Sequence, residues 1–184
     1  MKRNLQLLAF APLMGGTNLL IKGIGIGLGG LLLIALCGLL QAPLRKHLPA
    51  QGRLLATLLA GAVLIGSLDL LLQTLNSELA AALALYLPLL LLPCLALALD
   101  EQMEAKRGLR LGLWFALFAV LLGALREVFG HGSLLAHADW LLGPGFSGWH
   151  WQTGLPLLTQ AAGGFILLGL LVALFRHFDQ DDAR

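Results

Sequence analysis

Long runs of apolar residues, separated by short polar stretches, are the main pattern of this sequence. Each run is close to the length that a helix needs to cross the hydrocarbon core of a bilayer, which is about 20 residues. The pattern therefore predicts an all-α, polytopic membrane protein. Its six transmembrane helices are expected at residues 5–21, 23–41, 54–73, 79–98, 109–128 and 156–175, with a loop of Gly, His and Trp before the last one.

The composition agrees with a membrane location. Hydrophobic residues make up 58% of the chain and charged residues 12%, whereas soluble domains carry roughly 25% charged residues. The net charge of +2 is too small to favour a nucleic-acid partner. The two cysteines, Cys37 and Cys94, both lie in apolar runs, which argues against a disulfide framework.

Positive charges are distributed unequally between the two sides of the predicted membrane domain. Ten Lys and Arg residues fall in the termini and in the loops around 42–53 and 99–110, and only Lys22 and Arg126 fall on the other side. Because cytoplasmic loops carry the excess of Lys and Arg, we expect both termini to be cytoplasmic. In a bacterium, a helical domain of this kind is expected in the inner membrane.

Proline and glycine interrupt two of the apolar runs. Ala11-Pro12 precedes a Gly-Gly-Thr-Asn stretch in the first run, and Pro88 and Pro93 lie in the fourth. Proline removes a backbone donor and clashes with the preceding helical turn, and a broken helix at membrane depth needs protein or a cavity around it. We predict that the two breaks meet near the middle of the membrane, which brings Ala11 close to Cys94.

The two halves of the chain resemble each other weakly. A Lys precedes a glycine-rich span in both, at Lys22 and at Lys106. Three spans per half require that the halves be inverted, so we predict one membrane domain over residues 1–184, built from repeats at about 1–75 and 76–184. Within the second span, glycines four apart, Gly23 with Gly27 and Gly25 with Gly29, are expected to let helices approach closely.

Two sets of residues are candidates for chemistry. Cys94 directly follows Pro93, and a thiol at a helix break is either a soft ligand for iron or an inert small apolar side chain. Arg126 and Glu127 form a charged pair near the end of the fifth span, where a structural anchor is favoured over an ion conduit. Inverted repeats with broken helices also occur in small transporters, so a permease component is an alternative function.

With these motifs the sequence resembles the E subunit of the Rnf ion-translocating oxidoreductase complexes and the equivalent D subunit of the sodium-translocating NADH:quinone reductases. Residues 8–13 are similar to the family's first motif, Leu-Gly-Leu-Cys-Pro-Leu. The stretch from Pro88 to Cys94 is similar to its second motif, Pro-Leu-Ile…Asn-Cys, with Glu101 at the acidic position that follows. Residues 123–134 are similar to its Arg-Glu…Gly-x-Gly stretch.

The resemblance implies a membrane component of a redox-driven pump that couples electron transfer to Na⁺ or H⁺ translocation, with no active site of its own. It implies a partner, the homologous A subunit of opposite orientation. In that pair four cysteines hold a [2Fe–2S] cluster, so Cys94 is the candidate metal ligand of this chain, shared with the partner.

The sequence departs from the family pattern at the cluster motifs. Ala11 occupies the other ligand position and cannot bind iron, Pro93 replaces an Asn, and Leu99 replaces an Arg. Four thiolates are the usual ligand set, and Cys37 is not at a motif position. Either a non-cysteine ligand completes the cluster, or the cluster is lost and the chain is a scaffold for other membrane subunits.

Overall fold

The computed structural model describes residues 11–99, 105–136, 148–151 and 154–181, which are mostly helical. Its α-helices are α1 Ala11–Gly16, α2 Leu20–His47, α3 Ala50–Leu75, α4 Ser77–Leu83, α5 Leu91–Ala98, α6 Ala105–Arg126, α7 Pro156–Thr159 and α8 Ala161–Asp181. A 3₁₀ turn at Pro88–Leu90 precedes α5, and a π-helical turn at Glu127–His131 continues α6. Strands β1 (Ser133–Leu134) and β2 (Trp149–His150) pair antiparallel within the predicted Gly-, His- and Trp-rich loop.

Several helices are suited to a membrane. In the described part of the chain, three are long and apolar enough to cross a bilayer, at Leu20–Gln41, Gly52–Leu75 and Lys106–His131. A fourth candidate is the pair Ser77–Leu83 and Pro88–Ala98, whose halves are bent by 61°, and a shorter apolar helix covers Ala161–Ala173. The chain is therefore a helical membrane protein with several apolar helices, as the hydrophobic pattern predicts.

The predicted boundary between the first two spans at Lys22 is wrong. α2 runs without interruption from Leu20 to His47, and the chain breaks earlier, at residues 17–19. Lysine is a good helix former, so the charge of Lys22 does not end the helix. The Gly15-Gly16 pair lies directly before the break, and glycine lowers helix stability more than any residue except proline. α2 also continues past the predicted end at residue 41, so the first basic residues of the expected loop are helical.

The second break lies at residues 84–87, before both prolines. Pro88 is the first residue of the 3₁₀ turn and Pro93 is the third residue of α5. A proline near the start of a helix removes an N–H that has no partner within the helix. The prolines of the fourth run therefore begin the second half-helix, and the turn before them ends the first.

The centre of the fold is the antiparallel pair of α2 and α6. Gly23 faces Gly123 at one end of the pair, and Gly38 faces Gly108 at the other. A Cβ atom built on Gly23 would lie 2.7 Å from the carbonyl oxygen of Ala119, so the two backbones are in direct contact. Membrane helices associate through such close packing because lipid supplies little hydrophobic driving force between them.

The other predicted glycine contacts are partly as expected. Gly27 also faces α6, which confirms the close approach predicted for Gly23 and Gly27. Gly25 instead lies against Leu83 of α4, and Gly29 lies against Leu68 of α3. Glycines on several sides of α2 thus let three neighbours pack closely. Half of the membrane window of α2 is buried, against 17% for α3, which lies at the periphery.

Replacing Gly23 by Ala should destabilise the fold because its Cβ meets backbone and not a flexible side chain. We expect Gly23→Ala to lower the free energy of unfolding by about 1–3 kcal/mol, the usual cost of overpacking. The matched control is Gly66→Ala, since no atom lies within 4 Å of a Cβ at Gly66. Thermal unfolding of the purified chain in detergent measures both, and equal midpoints for the two variants would contradict the α2–α6 packing.

Candidate functional site at the helix breaks

The two breaks in the chain meet at Tyr86. This residue lies in the turn at 84–87, and its ring packs on Gly15 and Gly16 at the end of α1. A Cβ on Gly15 would lie 2.6 Å from Tyr86 Cε1, and one on Gly16 would lie 3.0 Å from Tyr86 Cγ. The two interruptions therefore meet, as predicted, and their depth in the membrane stays a prediction. The predicted closeness of Ala11 and Cys94 stays a prediction, since the Ala11 side chain lies outside the described part.

Arg126, the last residue of α6, is buried beside these breaks with 1% of its surface exposed. Its Nη1 donates to the carbonyl oxygen of Met14 at 3.0 Å and its Nε to that of Leu158 at 3.0 Å. Its Nη2 donates to the carbonyl oxygens of Thr159 at 2.7 Å and Gln160 at 3.0 Å. Carbonyls at helix C-termini lack partners within the helix and carry partial negative charge. The Arg126 guanidinium thus donates hydrogen bonds to carbonyls at the ends of both α1 and α7.

Glu127 accepts hydrogen bonds from backbone N–H groups, whereas Arg126 donates to backbone carbonyls. It is also 1% exposed, and its Oε2 accepts from the backbone N–H of Leu20, the first residue of α2, at 2.7 Å. A negative charge is stabilising at a helix N-terminus, where backbone N–H groups are unpaired. Its Oε1 accepts from the N–H of Ala136 at 2.6 Å. These contacts support the anchor interpretation of Arg126 and Glu127.

The chain after α6 is bent so that Ala136 can reach Glu127. Gly132 ends the π-helical turn in the left-handed region, with a φ of 62°. Leu135, the neighbour of Ala136, is also left-handed, with a φ of 57°. A left-handed non-glycine residue costs of order 1–3 kcal/mol and persists where its surroundings hold it. The hydrogen bond to Glu127 and the β1–β2 ribbon are the contacts that hold it here.

Neighbouring residues enclose the guanidinium of Arg126. A Cβ on Gly164 of α8 would lie 3.4 Å from Arg126 Cζ and 2.6 Å from the Met14 carbonyl oxygen, so α8 covers the guanidinium. Thr17 in the first break is buried and donates to the carbonyl oxygen of Leu13 at 2.5 Å. Carbonyls that a solute or ion would need are already occupied by Arg126. Its fixed positive charge also disfavours a cation at this point.

The motif cysteine lies elsewhere in the core. Cys94 on α5 is 0% exposed and Cys37 on α2 is 1% exposed. Both belong to the same buried cluster, and neither is in a disulfide. The sequence did not predict this pair, because Cys37 lies outside both motifs and in a different span. Glu101, the acidic position of the second motif, lies outside the described residues.

Comparison with known proteins gives the family. Residues 3–172 match the family model described as Rnf-Nqr subunit, membrane protein. The chain belongs to the Rnf-Nqr family. The match covers both breaks, the Arg126–Glu127 centre and the two cysteines, so the resemblance found in the motifs extends over the whole described site.

Three relatives are each named as the E subunit of an ion-translocating oxidoreductase complex. The proteins from Pseudomonas aeruginosa (strain LESB58) and Pseudomonas paraeruginosa (strain DSM 24068 / PA7) are each 35% identical to this chain, covering 95% of it and 79% of their own length. The protein from Shewanella oneidensis is 31% identical, over 95% of this chain and 81% of its own length.

The residues present do not fit an iron–sulfur cluster shared by two chains. Ala11 offers no donor atom at the first motif position. Cys94 is 0% exposed within its own chain, so its sulfur presents no free face to a second protein. Such a cluster usually needs four thiolates around it. Ala11 and the enclosed Cys94 thus do not offer the ligand set that the motifs imply.

Sequence reasoning identified Arg126, Glu127 and Cys94 but missed Tyr86 and the Cys37–Cys94 pair. Tyr86 is the only tyrosine in the chain and lies inside an apolar run, which is a signal that could have indicated it. A buried tyrosine usually needs a partner for its hydroxyl. The position of Cys37 gave no comparable signal, because only the packing of α2 against α5 brings it to Cys94.

Loss of the Arg126 guanidinium should leave three partly buried carbonyls, those of Met14, Leu158 and Thr159, without this donor, whereas the carbonyl of Gln160 keeps the N–H of Gly164. We expect Arg126→Met to lower stability by at least about 3 kcal/mol, because unpaired buried polar groups cost about 1–3 kcal/mol each. Arg126→Lys should be intermediate, since an ammonium has three donors and no planar fork. The control is Arg110→Met, an exposed arginine on the same helix. Thermal unfolding in detergent is the measurement, and equal stability of Arg126→Met and Arg110→Met would contradict the anchor.

Proposed function

We propose that this chain is the E-type membrane component of an Rnf-type ion-translocating oxidoreductase complex. In this role it helps to couple electron transfer to Na⁺ or H⁺ translocation and has no active site of its own. The observation that carries the proposal is the match to curated E subunits at 31–35% identity over 95% of this chain. The match over most of this chain and the similar break motifs support membership of the same kind of assembly.

The proposed architecture is six transmembrane helices in two inverted three-helix repeats. The antiparallel α2–α6 pair supports it, because these helices are the middle spans of the two proposed repeats. Contacts at the two ends are similar, Gly23 with Gly123 and Gly38 with Gly108. The meeting of two broken helices at Tyr86 is a second supporting feature, since inverted repeats place paired broken helices together.

The proposed main partner is the homologous six-span A subunit of opposite topology. α3 is the helix best placed to meet it, because little of its membrane window is buried within this chain. Its outer face carries the exposed side chains of Leu59, Val63 and Leu70. Polar groups on the same helix, where Gln73 donates to Asp69 at 2.9 Å, favour a protein neighbour over lipid.

We propose that this chain does not supply cluster ligands and acts in assembly and ion coupling. Ala11 and the enclosed Cys94 support this choice between the alternatives that the motifs leave open. A permease function has no comparable support, because Arg126 already occupies the carbonyls at the breaks. The proposed location is the bacterial inner membrane with both termini cytoplasmic, which the distribution of Lys and Arg supports.

An affinity-tagged chain should co-purify with a second six-span membrane protein. We expect the tagged chain, extracted from its own host in mild detergent, to bring down flavin- and iron-containing subunits with that partner. An unrelated tagged six-span protein from the same membranes is the control. Recovery of the chain alone, together with solute uptake by vesicles that contain only this chain, would favour the permease instead.

The iron content of the purified complex tests the cluster proposal. We expect Cys94→Ser to leave the iron and labile sulfide of the complex unchanged, because the sulfur of Cys94 has no free face toward a partner. Cys37→Ser is the matched control, since it removes the other buried thiol and leaves the motif cysteine. Loss of iron and of an electron paramagnetic resonance signal in Cys94→Ser alone would restore Cys94 as a metal ligand and end this part of the proposal.

A further inference from the structure

The ribbon of β1 and β2 presents an exposed apolar face at the Arg126 end of the helices. Leu134 pairs with Trp149 across the ribbon, so the two side chains project from the same face. Trp151, two residues after Trp149, continues this face, and its N–H donates to the carbonyl oxygen of Gly132 at 2.7 Å. Trp149 is 80% exposed, Trp151 42% and Leu134 39%. Ser133, the neighbour of Leu134, is buried, so β1 has one face toward the protein.

Two apolar helices fix the depth of this ribbon. β1 begins at Ser133, two residues after the apolar segment Lys106–His131 ends. After β2 the chain returns to that segment, where the N–H of Leu155 donates to the carbonyl oxygen of Phe129 at 2.8 Å, and it then enters α7 and α8. Two extended residues cover about 7 Å at most, and the headgroup region on each side of a bilayer is roughly 5–7 Å thick. The ribbon therefore lies within the headgroup region.

This end of the chain lacks the charges of a connection that faces water. Between Glu127 and Arg176 the only Asp, Glu, Lys or Arg residue is Asp139. The connections at the other end of the helices, around residues 42–53 and 99–110, are rich in Lys and Arg. A surface with exposed tryptophans and almost no charge is suited to the membrane interface, where Trp is enriched.

We propose that the β1–β2 ribbon is a lipid-binding surface that inserts Trp149, Trp151 and Leu134 into the headgroup region of the adjacent leaflet. An indole has an apolar ring and one N–H donor, so it is most stable where the ring is buried and the N–H reaches lipid oxygens. The apolar exposure continues along the chain into the membrane helices, at Leu157 of α7 and Phe165 of α8. This continuity with the surface of the spans favours lipid over a second protein as the occupant.

Lipid contact at the ribbon also holds the chain that binds Glu127. Leu135, next to Leu134, is left-handed, and the N–H of Ala136 donates to Glu127 Oε1 at 2.6 Å. Insertion of β1 into the interface thus fixes the end of α6 relative to the bilayer. The inference rests on the fold of this chain and does not depend on the proposed assembly.

Tryptophan fluorescence in bilayers with brominated lipids tests the proposal. The chain has four tryptophans, and each test variant of the full chain keeps one and replaces the others by phenylalanine. The variant that keeps Trp149, in phosphatidylcholine vesicles, should be quenched several-fold more by bromine near the headgroup than by bromine at the chain end. The matched control keeps Trp114, which is 39% exposed within the apolar helix α6, and should show the opposite order.

The lipid class gives a second measurement on the same variants. Because no Lys or Arg lies between Glu127 and Arg176, the contact is apolar and should not require anionic lipid. Replacing part of the phosphatidylcholine by phosphatidylglycerol should leave the quenching of Trp149 unchanged.

Photo-crosslinking in the membranes of the host distinguishes lipid from a protein neighbour. With benzoylphenylalanine in place of Trp149, we expect phospholipid adducts on the peptide that contains position 149 and no protein adduct. The same substitution at Val63, which is 67% exposed on α3, reports the proposed partner separately, so a failure there concerns the assembly alone.

Three results would overturn the proposal. These are quenching of Trp149 by aqueous acrylamide without an effect of bromine, stronger quenching by bromine at the chain end, or a protein as the main adduct at position 149. The crosslinking variant changes one exposed side chain, so it decides the question even if a single-tryptophan chain fails to fold.

Discussion

The guanidinium of Arg126 is the group on which the rest of the membrane fold depends. It donates to the carbonyl of Met14 near the end of α1 and to three carbonyls at the end of α7. Its neighbour Glu127 accepts from the first N–H of α2. Broken helices leave backbone groups that lipid cannot satisfy, at several kcal/mol each. Two adjacent residues of opposite charge thus allow three helix ends, those of α1 and α7 and the start of α2, to meet inside the membrane domain.

The glycine contacts between α2 and α6 place those two residues. Arg126 ends α6, and Gly123 one turn earlier is packed on the backbone near Gly23. Because these helices touch along their length, the end of α6 is held close to the first break and to the start of α2. The glycine contacts between α2 and α6 (the glycine seam) and the Arg126–Glu127 pair therefore form one arrangement. Close backbone contact brings the two charged side chains to the helix ends with which they form hydrogen bonds.

The chain belongs to its family by sequence, while the donor atoms at its motifs differ. Ala11 lacks a donor atom, and the remaining motif cysteine, Cys94, is buried inside the chain. A fold can persist when the chemistry of a site changes, because the contacts that hold the helices are separate from the ligands. Here the helices are held by Arg126, Glu127 and the glycine seam, none of which involves a thiol.

The amino-acid sequence by itself determined the class, the number of long apolar runs, the interruption of two of them and the anchor role of Arg126 and Glu127. These follow from local composition, since hydropathy, Pro, Gly and charge act over one or two helical turns. Only the tertiary structure decided the positions of the breaks, the carbonyl partners of Arg126, the packing of Tyr86 between the breaks and the burial of Cys37 and Cys94 in one cluster. Such features depend on which helix faces join, and leucine-rich helices that are apolar all round carry no periodic pattern that specifies the joining face.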